Sequence, residues 1–185
     1  NDYVELINDS SEYFYLEATL ESEKLENKVS YYCDKQAKKI KLNNNLYSKL
    51  SDFVGFFNVV CFSALDFLKL KGSANERRKM FDLVFCQISK DYMFMSNYYK
   101  KLLKDRNALL KRLIFENRSD LQKLIEVVSK QLVEYGNRII EFREKKINEI
   151  SNFAKLHHFK ISEQLEDFAL TYCPSVERLK IEDYS

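Results

Sequence analysis

Basic side chains gather in one short run of the sequence, and they are its best candidates for binding chemistry. The run holds four lysines and two arginines: Lys100, Lys101, Lys104, Arg106, Lys111 and Arg112. Two tyrosines, Tyr98 and Tyr99, stand directly before it. Lysine and arginine neutralise the phosphates of nucleic acids, so Lys100, Lys101 and Lys104 are candidate DNA contacts. The alternative is a solvated helix face whose charges pair four residues apart.

No complete catalytic, cofactor-binding or metal-binding pattern occurs in the 185 residues. The chain has neither a GxxxxGK[ST] loop, whose backbone amides would hold phosphates, nor a GxGxxG turn. His157 and His158 have no partner ligands at metal-binding spacing. None of the four cysteines forms a CxxC pair, so buried free thiols are expected, as suits a reducing cytoplasm. We therefore predict no catalytic, cofactor or metal residue and expect no ATP binding by this chain alone.

The overall charge is nearly balanced, at +2 from 30 basic and 28 acidic residues. This balance neither requires nor excludes nucleic acid, since a dedicated nucleic-acid domain carries a stronger basic footprint. Hydrophobic residues make up 45% of the chain, with only 3 Gly and 1 Pro, which favours a packed core and long helices. No apolar run approaches the ~20 residues that span a bilayer. The chain does not begin with Met, and we expect its natural N-terminus upstream.

The first third of the chain has the alternation typical of β-strands. Residues 14–20 and 29–33 place apolar side chains at every second position, which predicts an antiparallel pair. Residues 38–42 predict a third strand, ended by a turn at Asn43–Asn45. Residues 56–62 are apolar except for Asn58, and this run predicts a strand buried on both faces.

The pattern becomes helical at Ser73. Ser73 and Glu76 form an S-x-x-E capping box, which predicts a helix beginning near Ala74. Apolar residues then recur at alternating spacings of four and three from Phe81 to Leu113, as in the stripe of a coiled coil. The spacing predicts one long helix over this range.

A second helical stripe follows after Asn117 and Arg118 break the first. Ser119 and Gln122 form a second predicted capping box, and the new stripe runs over residues 121–142. Two stripes separated by a short turn predict an antiparallel helical hairpin. Gly136 within the second helix indicates close packing, and residues 165–172 predict either a helix end or a returning strand closed by Pro174.

Arg106 is the one charged residue in the first apolar stripe. In the predicted hairpin it faces Gln131 and lies one turn from Glu134. Because a charge between packed helices is costly unless it is paired, we predict that Arg106 bonds to Gln131, Glu134 or exposed carbonyls. Its role would be to fix the register of the helices. The alternative is that Arg106 and Asn107 contact a partner or DNA.

Four segments carry a family resemblance in their sequence and order. Residues 59–66 (VVCFSALD) and 72–82 (GSANERRKMFD) match a block written V-x-F-S-P-E-D-L…G-S-P-x-x-R-R-x-F-L-D. Residues 99–111 (YKKLLKDRNALLK) match Y-x-x-x-L-x-x-R-N-x-L-L-K, and residues 131–136 (QLVEYG) match Q-L-x-x-x-G. With Arg143 and the ending YCPS at 172–175, the series resembles the RecF family of bacterial DNA-repair ATPases.

Two positions depart from the family pattern. Ala64 and Ala74 replace family prolines, which loosens two turns and indicates a divergent member. The register of the block is unaffected, because its glycine, its arginine pair and its final aspartate are all present: Gly72, Arg77, Arg78 and Asp82. Through the resemblance, Arg77 and Arg78 become further candidate DNA contacts, and helix-surface or packing arginines are the alternative. Because cations near a helix N-terminus are unfavourable, we expect them to have an anionic partner.

The resemblance implies an ABC/SMC-like ATPase head. The phosphate loop of the family would lie upstream of residue 1, and its signature motif and Walker B acid beyond residue 185. By resemblance, the full-length family binds ATP and Mg²⁺, forms an ATP-dependent homodimer, and binds DNA at junctions of single and double strands. It acts with RecO and RecR to load RecA at gaps, in the cytoplasm at the nucleoid.

The predicted fold class is α+β: the antiparallel-strand part of an ABC/SMC-like ATPase lobe I and a long antiparallel helical hairpin as lobe II. Residues 1–72 are predicted to form the strand-rich part and residues 73–160 the helical arm. Residues 161–185 are predicted to return toward lobe I. Two alternatives to a RecF-like fragment are a coiled-coil interaction module without a nucleotide role and the head of another SMC-like DNA-processing ATPase.

Overall fold

A computed structural model of the chain describes residues 3–22, 25–47, 49–61, 63–116, 118–176 and 178. Its contacts group the chain into two compact units, Asn1–Arg77 and Arg78–Ser185. The first unit contains the sheet and short helices, and the second contains long helices. The α+β class predicted from the sequence is therefore confirmed.

Four antiparallel strands form one sheet in the order β1-β2-β3-β4. Their bounds are β1 Tyr13–Ser22, β2 Leu25–Asp34, β3 Lys38–Leu42 and β4 Asn45–Tyr47. The predicted pair and the predicted third strand are confirmed. Asn43 and Asn44 have φ angles of 48° and 69°, as a tight hairpin turn requires, and this turn leads into the short β4 that the sequence did not predict.

The two faces of the sheet differ because side chains alternate along each strand. Cys33, Ile40 and Leu42 lie on one face and are 0%, 7% and 9% exposed. Lys39 and Lys41 lie on the opposite face and are exposed. The predicted period of two therefore separates an apolar face from a polar one.

The apolar run at residues 56–62 does not form the predicted strand. Its described part, residues 56–61, is turn and irregular backbone, and Phe62 lies outside the described residues. The run follows a short helix, α1 (Leu50–Phe53), and Gly55 at φ 84° turns the chain before it. Phe56 and Val60 are 42% and 97% exposed, so the apolar residues are not enclosed by neighbouring strands in the part of the chain that is described.

A helix that the sequence analysis missed, α2 (Ala64–Lys71), follows this run. The Asp66 carboxylate caps it by accepting from the Ser63 N–H and the Ser63 hydroxyl, both at 2.9 Å. The Lys69 ammonium donates to the same carboxylate at 2.8 Å. Hydrogen bonds from Lys69 and then Ser63 lower the pKa of Asp66 from 3.8 to about 2.

We expect the contribution of Asp66 to stability to disappear in acid. A carboxyl group whose folded-state pKa is depressed stabilises the fold above its unfolded value, here 3.8, and loses this effect as the pH falls through about 2. The urea midpoints of the parent and Asp66→Asn should therefore differ near neutral pH and converge below pH 3.8. A constant difference over this range would contradict the assigned cap.

Three helices account for most of the remaining chain: α3 Ala74–Ile88, α4 Lys90–Glu116 and α5 Ser119–Ile161. The predicted start at Ala74 is confirmed. The Ser73 N–H donates to the Glu76 carboxylate at 2.7 Å, and the Glu76 N–H donates back to the Ser73 hydroxyl at 3.3 Å. This reciprocal pair is the predicted capping box.

Two helix boundaries differ from the predictions. The long first helix is divided at Ser89, whose hydroxyl accepts the Tyr92 N–H at 3.1 Å and starts α4 separately. A side-chain cap of this kind competes with continuation of the preceding helix. The second capping box is also wrong, because Arg118 is the cap residue of α5 and Ser119 is already helical.

The helices α4 and α5 form the predicted antiparallel hairpin. A buried hydrophobic cluster joins this hairpin to α3 and contains Phe85, Tyr92, Met95, Ile139 and Ile147. The Tyr92 and Phe142 rings lie 4.7 Å apart across the hairpin. A Cβ atom added to Gly136 would lie 3.4 Å from the Tyr99 ring, which agrees with the expected close packing.

Residues 165–174 form neither a helix nor a strand, so both structures predicted for residues 165–172 are wrong. Leu170 and Tyr172 pack against the core of the helical unit, and the Leu170 N–H donates to the Ser151 hydroxyl at 3.2 Å. The described part of this segment therefore lies on α5.

All four cysteines are free, as predicted, but they are not all buried. Cys33 is buried, Cys86 is half-buried, and Cys61 and Cys173 are exposed. Apolar neighbours in the sequence did not ensure burial at Cys61 and Cys173. In the part of the chain that the structure covers, no helix combines the length and apolar character needed to cross a membrane.

Candidate nucleic-acid interface

Three lysines form a row on α4. Lys100, Lys104 and Lys111 project within about 40° of one another, given the ~100° that each residue turns in an α-helix. All three are exposed, as is Lys101 beside them. The buried residues Tyr92, Met95 and Leu102 project from the opposite side of α4. Since these lysines form no ion pair with a described residue, the row presents uncompensated positive charge, as either a DNA contact or a solvated face would.

The candidate residues Arg77 and Arg78 lie near the N-terminus of α3. Their guanidinium groups form hydrogen bonds with different partners. Arg77 donates to the Gly72 carbonyl at 2.6 Å, and Arg78 donates to the Ser175 hydroxyl at 2.8 Å. Both side chains belong to exposed residues. The expected anionic partner is not found among the described residues, so both arginines keep their charge available to a ligand.

Arg106 makes a hydrogen bond across the hairpin, at a position different from the predicted ones. Its Nε donates to the hydroxyl of Ser129 on α5 at 2.8 Å, and Ser129 is only 8% exposed. No hydrogen bond joins Arg106 to Gln131 or Glu134 in the described part of the chain. Arg106 lies opposite Ser129 and Tyr99 lies opposite Gly136, two positions earlier on α5 than a register set by a turn near Arg118 would give.

We expect Arg106→Ala to destabilise the hairpin by about 1–3 kcal/mol, because it leaves the buried Ser129 hydroxyl without a partner. Thermal unfolding of the variant measures this cost. The double variant Arg106→Ala/Ser129→Ala should recover part of it, since the unpaired hydroxyl is then absent. If the single variant melts like the parent, the proposed register role of Arg106 fails and a role toward a ligand gains support.

A buried polar cluster joins α3, α4 and α5. The Arg143 Nη2 donates to both Asp82 carboxylate oxygens at 2.8 and 2.9 Å, and its Nε donates to the Tyr92 hydroxyl at 2.8 Å. Tyr92 in turn donates to the Asp82 carboxylate at 2.5 Å. The Arg143 and Asp82 side chains are 21% and 20% exposed, and Tyr92 is fully buried. Each charge and hydroxyl in the cluster is therefore paired within the protein.

The cluster also controls ionisation. Burial and the hydrogen bond to Asp82 raise the pKa of Tyr92 well above its ordinary value, so Tyr92 stays a neutral donor. Burial opposes the charge of Arg143, but its hydrogen bonds to Tyr92 and Tyr172 and the charge of Asp82 outweigh this and raise the pKa of Arg143. Arg143 and Asp82 thus form an ion pair within the cluster.

Sequence reasoning did not pair Asp82 with Arg143, although both were part of the family resemblance. A signal was present on α5: Arg143 stands between Ile139 and Ile147 in a row of residues four apart that is otherwise buried. A charge on an apolar row requires a partner. The partner lies 61 residues away, which periodicity within one helix does not reveal.

The described residues contain no group of three or more His, Cys, Asp or Glu side chains arranged to hold a metal ion. His158 instead lies 3.5 Å from the Glu166 carboxylate and stacks on Phe168 with ring centroids 5.2 Å apart.

Comparison with known proteins gives a consistent series of relatives. The chain is 33% identical over 183 residues to the DNA replication and repair protein RecF of Lactobacillus gasseri, covering 99% of this chain and 49% of the relative. It is 34% identical over 176 residues to that of Natranaerobius thermophilus, covering 94% of this chain and 45% of the relative. The chain thus spans about half the length of the curated relatives it matches. No protein-family model matches the chain.

Solved structures agree with the sequence relatives. Two structures of the recombination mediator protein RecF in the RecFOR pathway, RecF-ATP and RecF-ATPrS, each match with a TM-score of 0.78 and 30% identity. Each match covers 88% of this chain and 44% of the other. The antiparallel sheet and long helical hairpin therefore define an α+β segment of the ABC-ATPase-like class. Within that class the chain is RecF-like along nearly its whole length.

Proposed function

We propose that this chain is part of a RecF-like recombinational DNA-repair protein that, in full length, binds DNA and ATP and helps to load RecA at gaps. The observation that carries the proposal is the continuous likeness to RecF proteins over 99% of the chain. The Asp82–Arg143 pair supports it further, because two residues of the family resemblance meet here in one buried cluster.

Within such a protein, the proposed role of this chain is to supply the strand-rich part of the first lobe and the helical second lobe. In this proposal residues 1–72 form the strand-rich part, residues 73–160 form the helical arm, and residues 161–185 return toward the first lobe. The full-length protein is proposed to bind ATP and Mg²⁺. It is also proposed to form a homodimer when ATP is bound. RecO, RecR and junctions of single-stranded and double-stranded DNA are the proposed partners, and the cytoplasm at the nucleoid is the proposed location.

Three neighbouring lysines at the middle of α4 are the proposed contact to duplex DNA in this chain. Lys100, Lys101 and Lys104 are exposed and lack ion-pair partners among the described residues, so a phosphate backbone would meet positive charge there. Arg77 and Arg78 are proposed as further contacts. With a net charge of +2, the affinity should be weak and should fall steeply with salt.

Fluorescence anisotropy of a labelled duplex across a salt series tests this contact. Each phosphate contact contributes about 0.9 to the slope of log K against log salt, so Lys100→Gln/Lys101→Gln/Lys104→Gln should reduce the slope by up to about 2.7. The matched control changes three exposed lysines of α5: Lys123, Lys130 and Lys145. Equal losses in both triple variants would contradict a contact at α4, and tight binding at physiological salt would contradict the expected weak affinity.

A further inference from the structure

The polar face of the sheet carries a group of tyrosines and lysines that the proposed function does not use. We call it the tyrosine–lysine face, and its principal residues are Tyr15, Tyr32, Lys28, Lys39, Lys41 and Glu17. These residues come from β1, β2 and β3 and line a shallow concave surface. All of them belong to the first compact unit, whereas the lysine row of α4 belongs to the second.

Positive charge on this face is concentrated along β3. Lys39 and Lys41 occupy alternate positions, which places their Cα atoms about 7 Å apart on the same side of the strand. Both are exposed, and neither forms an ion pair with a described residue. Lys28 differs because its ammonium lies 2.7 Å from the Glu17 carboxylate, which neutralises it. Lys39 and Lys41 therefore present two positive charges without an ion-pair partner among the described residues, at alternate positions of β3.

Acidic residues bound this positive segment at both ends. Glu21 pairs with Glu26 across β1 and β2 at one end of the face. At the other end Asp34 accepts hydrogen bonds from the Tyr32 hydroxyl at 2.9 Å and from the Gln36 and Ala37 N–H groups at 2.6 Å. An anion is therefore directed to the middle of the face, beside Lys39 and Lys41.

Aromatic rings lie next to these lysines. Tyr15, Tyr32 and Lys39 are cross-strand neighbours in one row, and the Lys39 ammonium lies 5.8 Å from the centre of the Tyr32 ring. Tyr13 adds a third ring, 5.1 Å from that of Tyr32. Tyr13 and Tyr15 are each 52% exposed, although large aromatic side chains are usually more buried. Hydrogen bonds from Tyr15 to Glu17 and from Tyr32 to Asp34 fix the polar tips of these side chains, and Tyr32 remains partly exposed.

We propose that the tyrosine–lysine face binds single-stranded nucleic acid, with phosphates along Lys39 and Lys41 and bases over Tyr15 and Tyr32. A cationic track beside aromatic rings is the combination that single-strand binding uses, since every base has a stacking face. A duplex hides those faces within its own stack and would use only the lysines. The inference rests on the proposed function for its ligand class, nucleic acid, and adds the site and the strandedness.

The test measures binding of the whole 185-residue chain to a labelled oligothymidylate and to a duplex of equal length. Lys39→Gln/Lys41→Gln should reduce the salt slope for the single strand by about 1.4, at about 0.7 per phosphate. Tyr15→Leu should weaken single-strand binding about fivefold or more while duplex binding changes little. The matched control, Lys123→Gln/Lys130→Gln, removes the same charge from exposed positions of α5 and should leave single-strand binding near the parent value. Circular dichroism verifies that each variant is folded.

Three results would overturn the inference. The first is a parent chain that does not bind the single strand, and the second is a sheet variant that binds the single strand like the parent. The third is an equal affinity of Tyr15→Leu and the parent for oligothymidylate, combined with full competition by inorganic polyphosphate, which would indicate an anion surface without base stacking. None of these results bears on duplex binding by α4. That binding, and with it the proposed function, is tested separately by the lysine variants of α4.

Discussion

Arg143→Met is expected to destabilise the helical unit by about 2–4 kcal/mol, slightly less than the cost of breaking a fully buried ion pair. The methionine keeps the apolar stem but leaves the Asp82 carboxylate, 20% exposed, without the guanidinium that binds both of its oxygens. It also removes the Nε donor from the Tyr92 hydroxyl. Chemical denaturation followed by circular dichroism measures the change, and the melting temperature should fall by roughly 4–16 °C.

Two comparisons separate this effect from a general loss of charge. Arg112→Met removes an exposed pair with Glu116 on α4 and should leave stability near the parent value. Asp82→Leu/Tyr92→Phe/Arg143→Met removes every member of the cluster, and it should recover much of the lost stability because no buried polar group is left unpaired. If Arg143→Met denatures at the same midpoint as the parent, the cluster does not hold α3, α4 and α5 together.

Phe85→Ala is expected to cost about 3–5 kcal/mol, the usual penalty for deleting a buried aromatic ring. Phe85 is 1% exposed and contacts the Tyr92 and Phe142 rings edge-on, at centroid distances of 5.4 and 5.7 Å. The resulting cavity would lie directly beside the polar cluster, because Tyr92 both contacts Phe85 and belongs to that cluster. Equilibrium unfolding in guanidinium chloride, followed by helix signal, provides the measurement.

Phe115→Ala is the matched control for the core substitution. Phe115 lies in the last turn of α4 and is 87% exposed, so its removal should change stability by no more than about 0.5 kcal/mol. A small effect at both positions would mean that the helical unit is not packed around Phe85. A large effect at Phe115 would instead indicate that the end of the hairpin is covered.

The elements that the sequence predicted correctly are those fixed by local signals. The period of two identified β1, β2 and β3, and the reciprocal Ser73–Glu76 hydrogen bonds fixed the start of α3. Errors arose where apolar character was taken as evidence of burial. Val60 is 97% exposed within a run that was predicted to be a buried strand.

The candidate sites were harder to predict because they depend on pairings between distant segments. The hairpin register was predicted from a turn near Arg118, which assigned Arg106 to Gln131 or Glu134, whereas its hydrogen bond is to Ser129. The Asp82–Arg143 pair and the tyrosine–lysine face each combine residues from separate elements. The periodicity of one β-strand or one helix assigns such residues to a face but does not show which side chains from different elements meet.

A chimera tests most directly whether this chain does the work of a RecF segment. In it, this chain replaces the matching segment of the Lactobacillus gasseri relative, of which it spans 49%. The chimera is predicted to bind ATP and DNA and to restore survival after DNA damage in a host lacking its own RecF, whereas the same chimera carrying Arg143→Met should restore less. A chimera that accumulates as a folded, ATP-binding protein yet neither binds DNA nor protects the host would contradict the assignment.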